Sequence, residues 1–232
     1  MSVGNFSFPT PRGDCEAYLA VPEGADGHGV LVLSEWWGLV DQIADVCDRL
    51  AREGFVALAP DLYRGERTDD PERANRLMMD LEIPRAGEEL SAAATALLNH
   101  HAVRGSRVAA AGFCMGGQLA LYAGSLDPRV RAVVDFYGIH PEVSVDASAL
   151  RENGTAVLGI FAERDEFVPP KSARELEARL REAGVRHAVE IYPEASHAFM
   201  NDARPDVYDA AAAARGWSRM LSFLRAELDT IA

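Results

Sequence analysis

The stretch AAAGFCMGGQLALYAG, residues Ala109–Gly124, passes from an apolar run through a glycine-flanked cysteine into a segment rich in alanine and leucine. The apolar part, RVAAAGF at 107–113, has no polar/apolar alternation, which suits a parallel strand buried on both faces. The part at 115–126 reads as a helix. Gly112-Phe113-Cys114-Met115-Gly116 joins the two with the spacing glycine-x-nucleophile-x-glycine. A turn of this kind holds its central residue in strained backbone and exposes it above a sheet; strand and helix pass closely, so the flanking residues must be small. A dinucleotide-binding GxGxxG loop does not fit, because Cys114 occupies the place of its middle glycine.

The same alternation extends in both directions. Apolar runs recur at 29–35 (GVLVLSE), 55–60 (FVALAP), 130–138 (VRAVVDFYG), 155–163 (TAVLGIFAE) and 187–193 (HAVEIYP). Helical patterns fill 40–53, 85–102, 115–126, 171–183 and 206–229. In the first of these, Val40, Ile43, Val46, Cys47 and Leu50 share one face, and Gly54 supplies a C-terminal stop. Strands alternating with helices imply right-handed crossovers and a doubly wound, mostly parallel α/β sheet with helices on both faces. The first 28 residues, with the short run CEAYLAV, read as an antiparallel edge. No repeat, low-complexity segment or linker divides the 232 residues, so a single domain over 1–232 is expected.

Composition narrows the function classes. With 48% hydrophobic and 25% charged residues the chain can bury a large core. The formal net charge of −13, with no run of Lys or Arg, argues against nucleic acid or an anionic membrane as a partner. No stretch approaches the ~20 apolar residues of a membrane span, and the N-terminus lacks a basic segment followed by an apolar one, so a cytoplasmic location is expected. Three cysteines without CxxC spacing (Cys15, Cys47, Cys114) favour neither a disulfide framework nor a zinc site. Cys47, on an apolar helix face, and Cys15 read as small buried hydrophobes.

In such sheets ligands gather at the carboxyl ends of the strands, where Glu35, Cys114, Asp165 and His197 all fall. A free thiol with a pKa near about 8.5 must be shifted down by about a unit or two to act as a thiolate at neutral pH. The helix dipole offers only about 0.3–1 kcal/mol, so an imidazolium partner is needed. Of the six histidines, His100 and His101 close a helix, His28 lies in a polar turn, His187 begins a strand and His140 follows one. His197, between the last strand and the last helix, completes the order nucleophile, acid, histidine with Asp165. Asp165 would hold the imidazole in the correct tautomer and stabilise its charge.

SEWWGL (34–39), APDLYRG (59–65), GFCMGGQLA (112–120), AERDEFVP (162–169) and SHAF (196–199) together resemble the dienelactone hydrolase (carboxymethylenebutenolidase) family of the α/β-hydrolase fold, in order over nearly the whole chain. The resemblance implies a Cys114-His197-Asp165 triad, with Glu35 contacting the resting thiol and swinging away when substrate arrives. It further implies an oxyanion hole from the backbone N–H groups of Trp36 and Met115, the latter directly after the nucleophile. The family's best-known members bind a substrate carboxylate through arginines, one of them four residues after the histidine, where this chain has Asn201. A second would come from Arg64, Arg67, Arg73 or Arg76, of which Arg73 and Arg76 are taken with Trp37, Tyr137 and Asn201 as the substrate-binding set. Plain structural roles compete for several of these residues: Trp36 and Trp37 as core caps, Asn201 and Asp202 as helix caps, and the arginines as a solvated face.

The expectation is thiol-dependent hydrolysis of a lactone or small carboxylic ester through an acyl-enzyme. No cofactor or metal is implied, the partner is the small-molecule substrate, and the chain is a monomer or small homo-oligomer. A non-catalytic or redox-sensing relative of the fold would leave Asp165 without a role, whereas a thioesterase or acyl transferase is a closer alternative.

Overall fold

The computed structural model describes residues 3–24 and 26–229. In chain order the elements are β1 (Phe6–Thr10), β2 (Gly13–Ala20), β3 (His28–Leu33), α1 (Asp41–Arg52), β4 (Phe55–Pro60), α2 (Pro71–Met79), α3 (Ile83–Asn99), β5 (Val108–Phe113), α4 (Met115–Leu126), β6 (Val130–Phe136), α5 (Ala147–Asn153), β7 (Ala156–Ala162), α6 (Pro170–Glu182), β8 (His187–Tyr192) and α7 (Ala210–Leu228).

The strands form one sheet in the order β1-β2-β4-β3-β5-β6-β7-β8. β1 and β2 run antiparallel at one edge, and β3 to β8 are mutually parallel. This is the α/β-hydrolase arrangement. Every residue of β4, β5 and β7 is buried, which accounts for their unalternating apolar sequences. The pleat still sorts their side chains. Val30, Val32, Ala57 and Ala109 pack beneath Ile43 and Leu50 of α1 and Met220 and Leu224 of α7. Leu31, Leu33, Val56 and Ala110 face Leu90 and Leu97 of α3, Leu119 of α4 and Leu180 of α6. Each buried Val, Leu, Ile or Met among them contributes about 1.5–3 kcal/mol of transfer free energy, and each alanine less.

The topology also locates a crevice. β4 lies on one side of β3 and β5 on the other, so the chain reverses direction across the sheet between β3 and β5. Loops leaving the carboxyl ends of these two neighbouring strands diverge, and they carry Glu35 and Cys114.

Several expectations shift. The helix expected over 206–229 begins at Ala210, because the Asp209 side chain accepts hydrogen bonds from the N–H groups of Ala211 and Ala212 and caps it. The strand expected over 130–138 ends at Phe136, since Tyr137 turns to φ 43°. Two short helices, α2 and α5, were not anticipated. Each has a local signal: Asp70 caps α2 with Pro71 at its first position, and Asp146 caps α5 with Gly154 closing it at φ 68°. Among the described residues no helix is long and apolar enough to cross a membrane.

Candidate active site

Cys114 stands between β5 and α4 with φ 52° and ψ −119°, outside the regions open to a residue with a side chain. Three backbone hydrogen bonds hold it there: its N–H donates to Phe136 O at 3.0 Å, and its carbonyl accepts from Gly117 at 2.9 Å and Ile139 at 3.1 Å. The flanking glycines are sterically required. A Cβ on Gly112 would stand 1.9 Å from Gly116 O, and one on Gly116 would stand 2.2 Å from Leu33 O. The strained turn inferred from the glycine spacing is present, with its sulfur at a cavity wall.

His197, on the loop after β8, lines the same cavity. Its Nδ1 lies 2.7 Å from Asp165 Oδ2, and the other oxygen of Asp165 accepts from the N–H groups of Phe167 and Val168, each at 2.8 Å. An ionised Asp165, buried to 4% exposure, therefore makes Nδ1 the donor and leaves Nε2 free. The imidazole is held between Tyr137 and Phe167, whose ring centroids are each 5.1 Å away.

Glu35 is buried at the start of the loop after β3, and Asn201 Nδ2 donates to its Oε2 at 2.8 Å. Burial raises the Glu35 carboxyl above its ordinary range, opposed by Asn201, His197 and Arg204. Asn201 and the Trp37 side chain donate to Glu35, while its charge reaches Cys114.

The thiol departs from the expectation of a lowered pKa. Burial raises Cys114 most and Glu35 next; the Met115 N–H opposes them, and Asp165 and Asp135 raise it further. The first reason is burial, which disfavours the thiolate, and the second is the neighbouring Glu35, so the resting sulfur is held as a neutral thiol. Cys15 and Cys47 are buried free thiols as expected, Cys15 pushed up to about 12, mainly by burial.

The cavity, of about 460 Å³, is walled mainly by apolar side chains: Trp36, Trp37, Met78, Met79, Ile139, Phe167 and Val207. Its rim is partly open, with Phe167 62% exposed. Among the described lining residues Arg204 is the one Arg or Lys; its guanidinium lies 5.4 Å from the Trp37 ring centroid and pairs with Asp206 at 2.7 Å.

The structure thus brings Cys114, His197, Glu35, Trp36 and Trp37 to one cavity, with Asp165 directly behind His197. Met115 is buried at the first position of α4, its N–H facing the sulfur. The remaining substrate-binding residues fall elsewhere. Arg73 and Arg76 are exposed on α2 and do not line the cavity, and Arg73 pairs with Glu66 at 2.7 Å. Tyr137 is fully buried behind His197, and Asn201 is buried against Glu35. Sequence reasoning missed Met78, Met79 and Arg204, because α2 was unrecognised and nothing local marks Arg204. It also missed Asp135, whose signal was an acid after the apolar residues Ala132, Val133 and Val134 of β6.

With this geometry in place, the match to known proteins is specific: residues 15–228 fit the dienelactone hydrolase family. The chain belongs to the dienelactone hydrolase family. It is 35% identical to protein usf of Aquifex pyrophilus, over 90% of this chain and 91% of that one. It is 34% identical to a candidate carboxymethylenebutenolidase of Aquifex aeolicus (strain VF5), over 91% and 93%. The crystal structure of a candidate dienelactone hydrolase from Klebsiella pneumoniae subsp. pneumoniae MGH 78578 superimposes with a TM-score of 0.84 at 30% identity, covering 94% of this chain and 95% of that one. This dienelactone hydrolase family member is accordingly a hydrolase with an α/β-hydrolase fold.

Proposed function

We propose that this family member hydrolyses a lactone or small carboxylic ester through Cys114 and a thioester intermediate. The observation that carries the reading is the 2.7 Å contact of His197 Nδ1 with Asp165, which frees Nε2 in the cavity that Cys114 lines at φ 52°. His197 takes the thiol proton, and the sulfur bonds to the acyl carbon. The carbonyl oxygen, now an oxyanion, accepts hydrogen bonds from the Trp36 and Met115 N–H groups. As the oxyanion collapses, the acyl C–O bond breaks and the imidazolium protonates the departing alkoxide. A water that gives its proton to His197 then attacks the thioester; the acid leaves and the thiol regains its proton.

The resting thiol is neutral, so it needs a change at Glu35 or a bound substrate to ionise. Removing or reorienting a buried carboxylate beside it lowers its pKa, which supports activation on demand. The apolar walls favour a hydrophobic acyl or alcohol portion. A substrate carboxylate would have Arg204 as its partner, since Arg73 and Arg76 lie off the cavity.

The test is turnover of p-nitrophenyl acetate, and of a panel of lactones and esters with and without a carboxylate. Cys114→Ala and iodoacetamide-treated protein are expected to lose activity. Undiminished turnover by Cys114→Ala, or by protein whose Cys114 peptide is shown by mass spectrometry to be alkylated, overturns the assignment.

A further inference from the structure

Asp135, near the end of β6, is 1% exposed, and neither carboxylate oxygen has a hydrogen-bond partner of ordinary geometry. Its Oδ1 is wedged against two glycines: a Cβ on Gly117 or on Gly138 would stand 2.2 Å from it. Gly117 belongs to the first turn of α4, so the carboxyl lies beside the same helix N-terminus that begins immediately after Cys114. Neither glycine could carry a side chain without displacing this acid.

The surroundings are short of compensation. α4 presents Gly117 and the backbone of Gln118, the loop after β6 presents Gly138, and the β5–α4 turn presents Cys114, the titratable group whose ionisation Asp135 opposes. Among the described residues no basic side chain acts on Asp135. Burial raises it to about 7, and only the Gly138 N–H favours its charge. An apolar residue would fill this position without that cost, so the carboxyl calls for another explanation.

We propose that Asp135 is a positioning residue that sets the ionisation of Cys114 through the first turn of α4. In its neutral form it leaves the positive end of the helix to the sulfur. In its charged form it competes with the thiolate for that end and repels it. Cys114 is thus opposed by Glu35 from the loop after β3 and by Asp165, and Asp135 adds a third buried acid from β6, on the other side of β5 from β3. This rests on Cys114 being the reactive thiol, but the test does not require turnover.

The experiment measures iodoacetamide alkylation of Cys114 against pH, read by mass spectrometry of the Cys114 peptide so that Cys15 and Cys47 do not contribute. It compares His197→Asn with His197→Asn/Asp135→Asn, which removes imidazole titration from both arms. The double variant should react at the same rate as the single one near about pH 5.5 and about fivefold faster near about pH 8.5, a thiol shift of about 0.7 unit. A rate ratio that does not change with pH overturns the proposal, because an Asn that merely loosened the turn would act equally at every pH. Should Asp135→Asn fail to fold, infrared spectroscopy of Glu35→Gln protein provides the second measurement. A protonated-carboxyl band that disappears between about pH 6 and about pH 8 is expected, and the absence of such a band is equally contrary. Loss of the nucleophile assignment would be seen separately, as Cys114→Ala protein that still turns over ester.

Discussion

Replacing Cys114 by glycine should make the protein more stable than replacing it by alanine, against the usual order of the two residues. At φ 52° and ψ −119° the backbone of residue 114 adopts a conformation dominated by glycine, and a side chain there costs about 1–3 kcal/mol. Both variants lose the sulfur and its contacts, so that loss cancels in the comparison. Glycine gives back about 0.5–1 kcal/mol in unfolded-state entropy. Taking about 2 kcal/mol for the strain leaves Cys114→Gly ahead of Cys114→Ala by about 1 kcal/mol. In a chain of 232 residues this corresponds to a Tm higher by about 2–4 °C. Paired thermal scans and urea titrations measure the difference, and neither variant is expected to hydrolyse ester. If the glycine variant instead melts below the alanine variant by the ordinary glycine penalty, the turn does not store strain and the steric argument for Gly112 and Gly116 loses its companion.

Asn201→Ala removes the donor from a buried Glu35 and should destabilise the protein by about 1–3 kcal/mol near neutral pH, with a smaller loss in a Glu35→Gln background; a urea-denaturation double-mutant cycle reads this coupling. Asp165→Asn retains the size of the side chain but presents the wrong partner to His197 Nδ1, so kcat should fall by about 10²–10⁴ while KM changes little, checked by steady-state kinetics on a chromogenic ester. Asp135 also predicts a stability trend. Its folded pKa of about 7 lies above an unfolded value of about 3.9, so the folded state binds the proton more tightly. The contribution is therefore fully present below about pH 4 and is lost as pH rises to about 7, amounting to roughly 4 kcal/mol. Relative to Asp135→Asn, the wild type should lose stability over that interval and run parallel above it; a pH-independent difference in unfolding free energy would contradict the assignment.

What the sequence determined by itself was the local and periodic part of this protein. Unbroken apolar runs predicted parallel strands, because strands buried on both faces tolerate no polar alternation, and Gly112-x-Cys114-x-Gly116 predicted the strained turn, because only glycine admits backbone at such approach distances. The order Cys114, Asp165, His197 singled out two residues that line one cavity, Cys114 and His197, and the acid that contacts His197, since each follows a parallel strand and the carboxyl ends of those strands lie on one edge of the sheet. The short helices α2 and α5 stayed hidden despite their caps, as 9 and 7 residues carry too few turns for a periodic signal to stand out. The tertiary structure alone decided the rest, because solvation and charge depend on what surrounds a group in three dimensions. It placed Arg204 on the cavity wall and Arg73 outside it, set Asn201 against Glu35, and buried Cys114 near Glu35, Asp165 and Asp135, where burial first and these acids second raise its pKa.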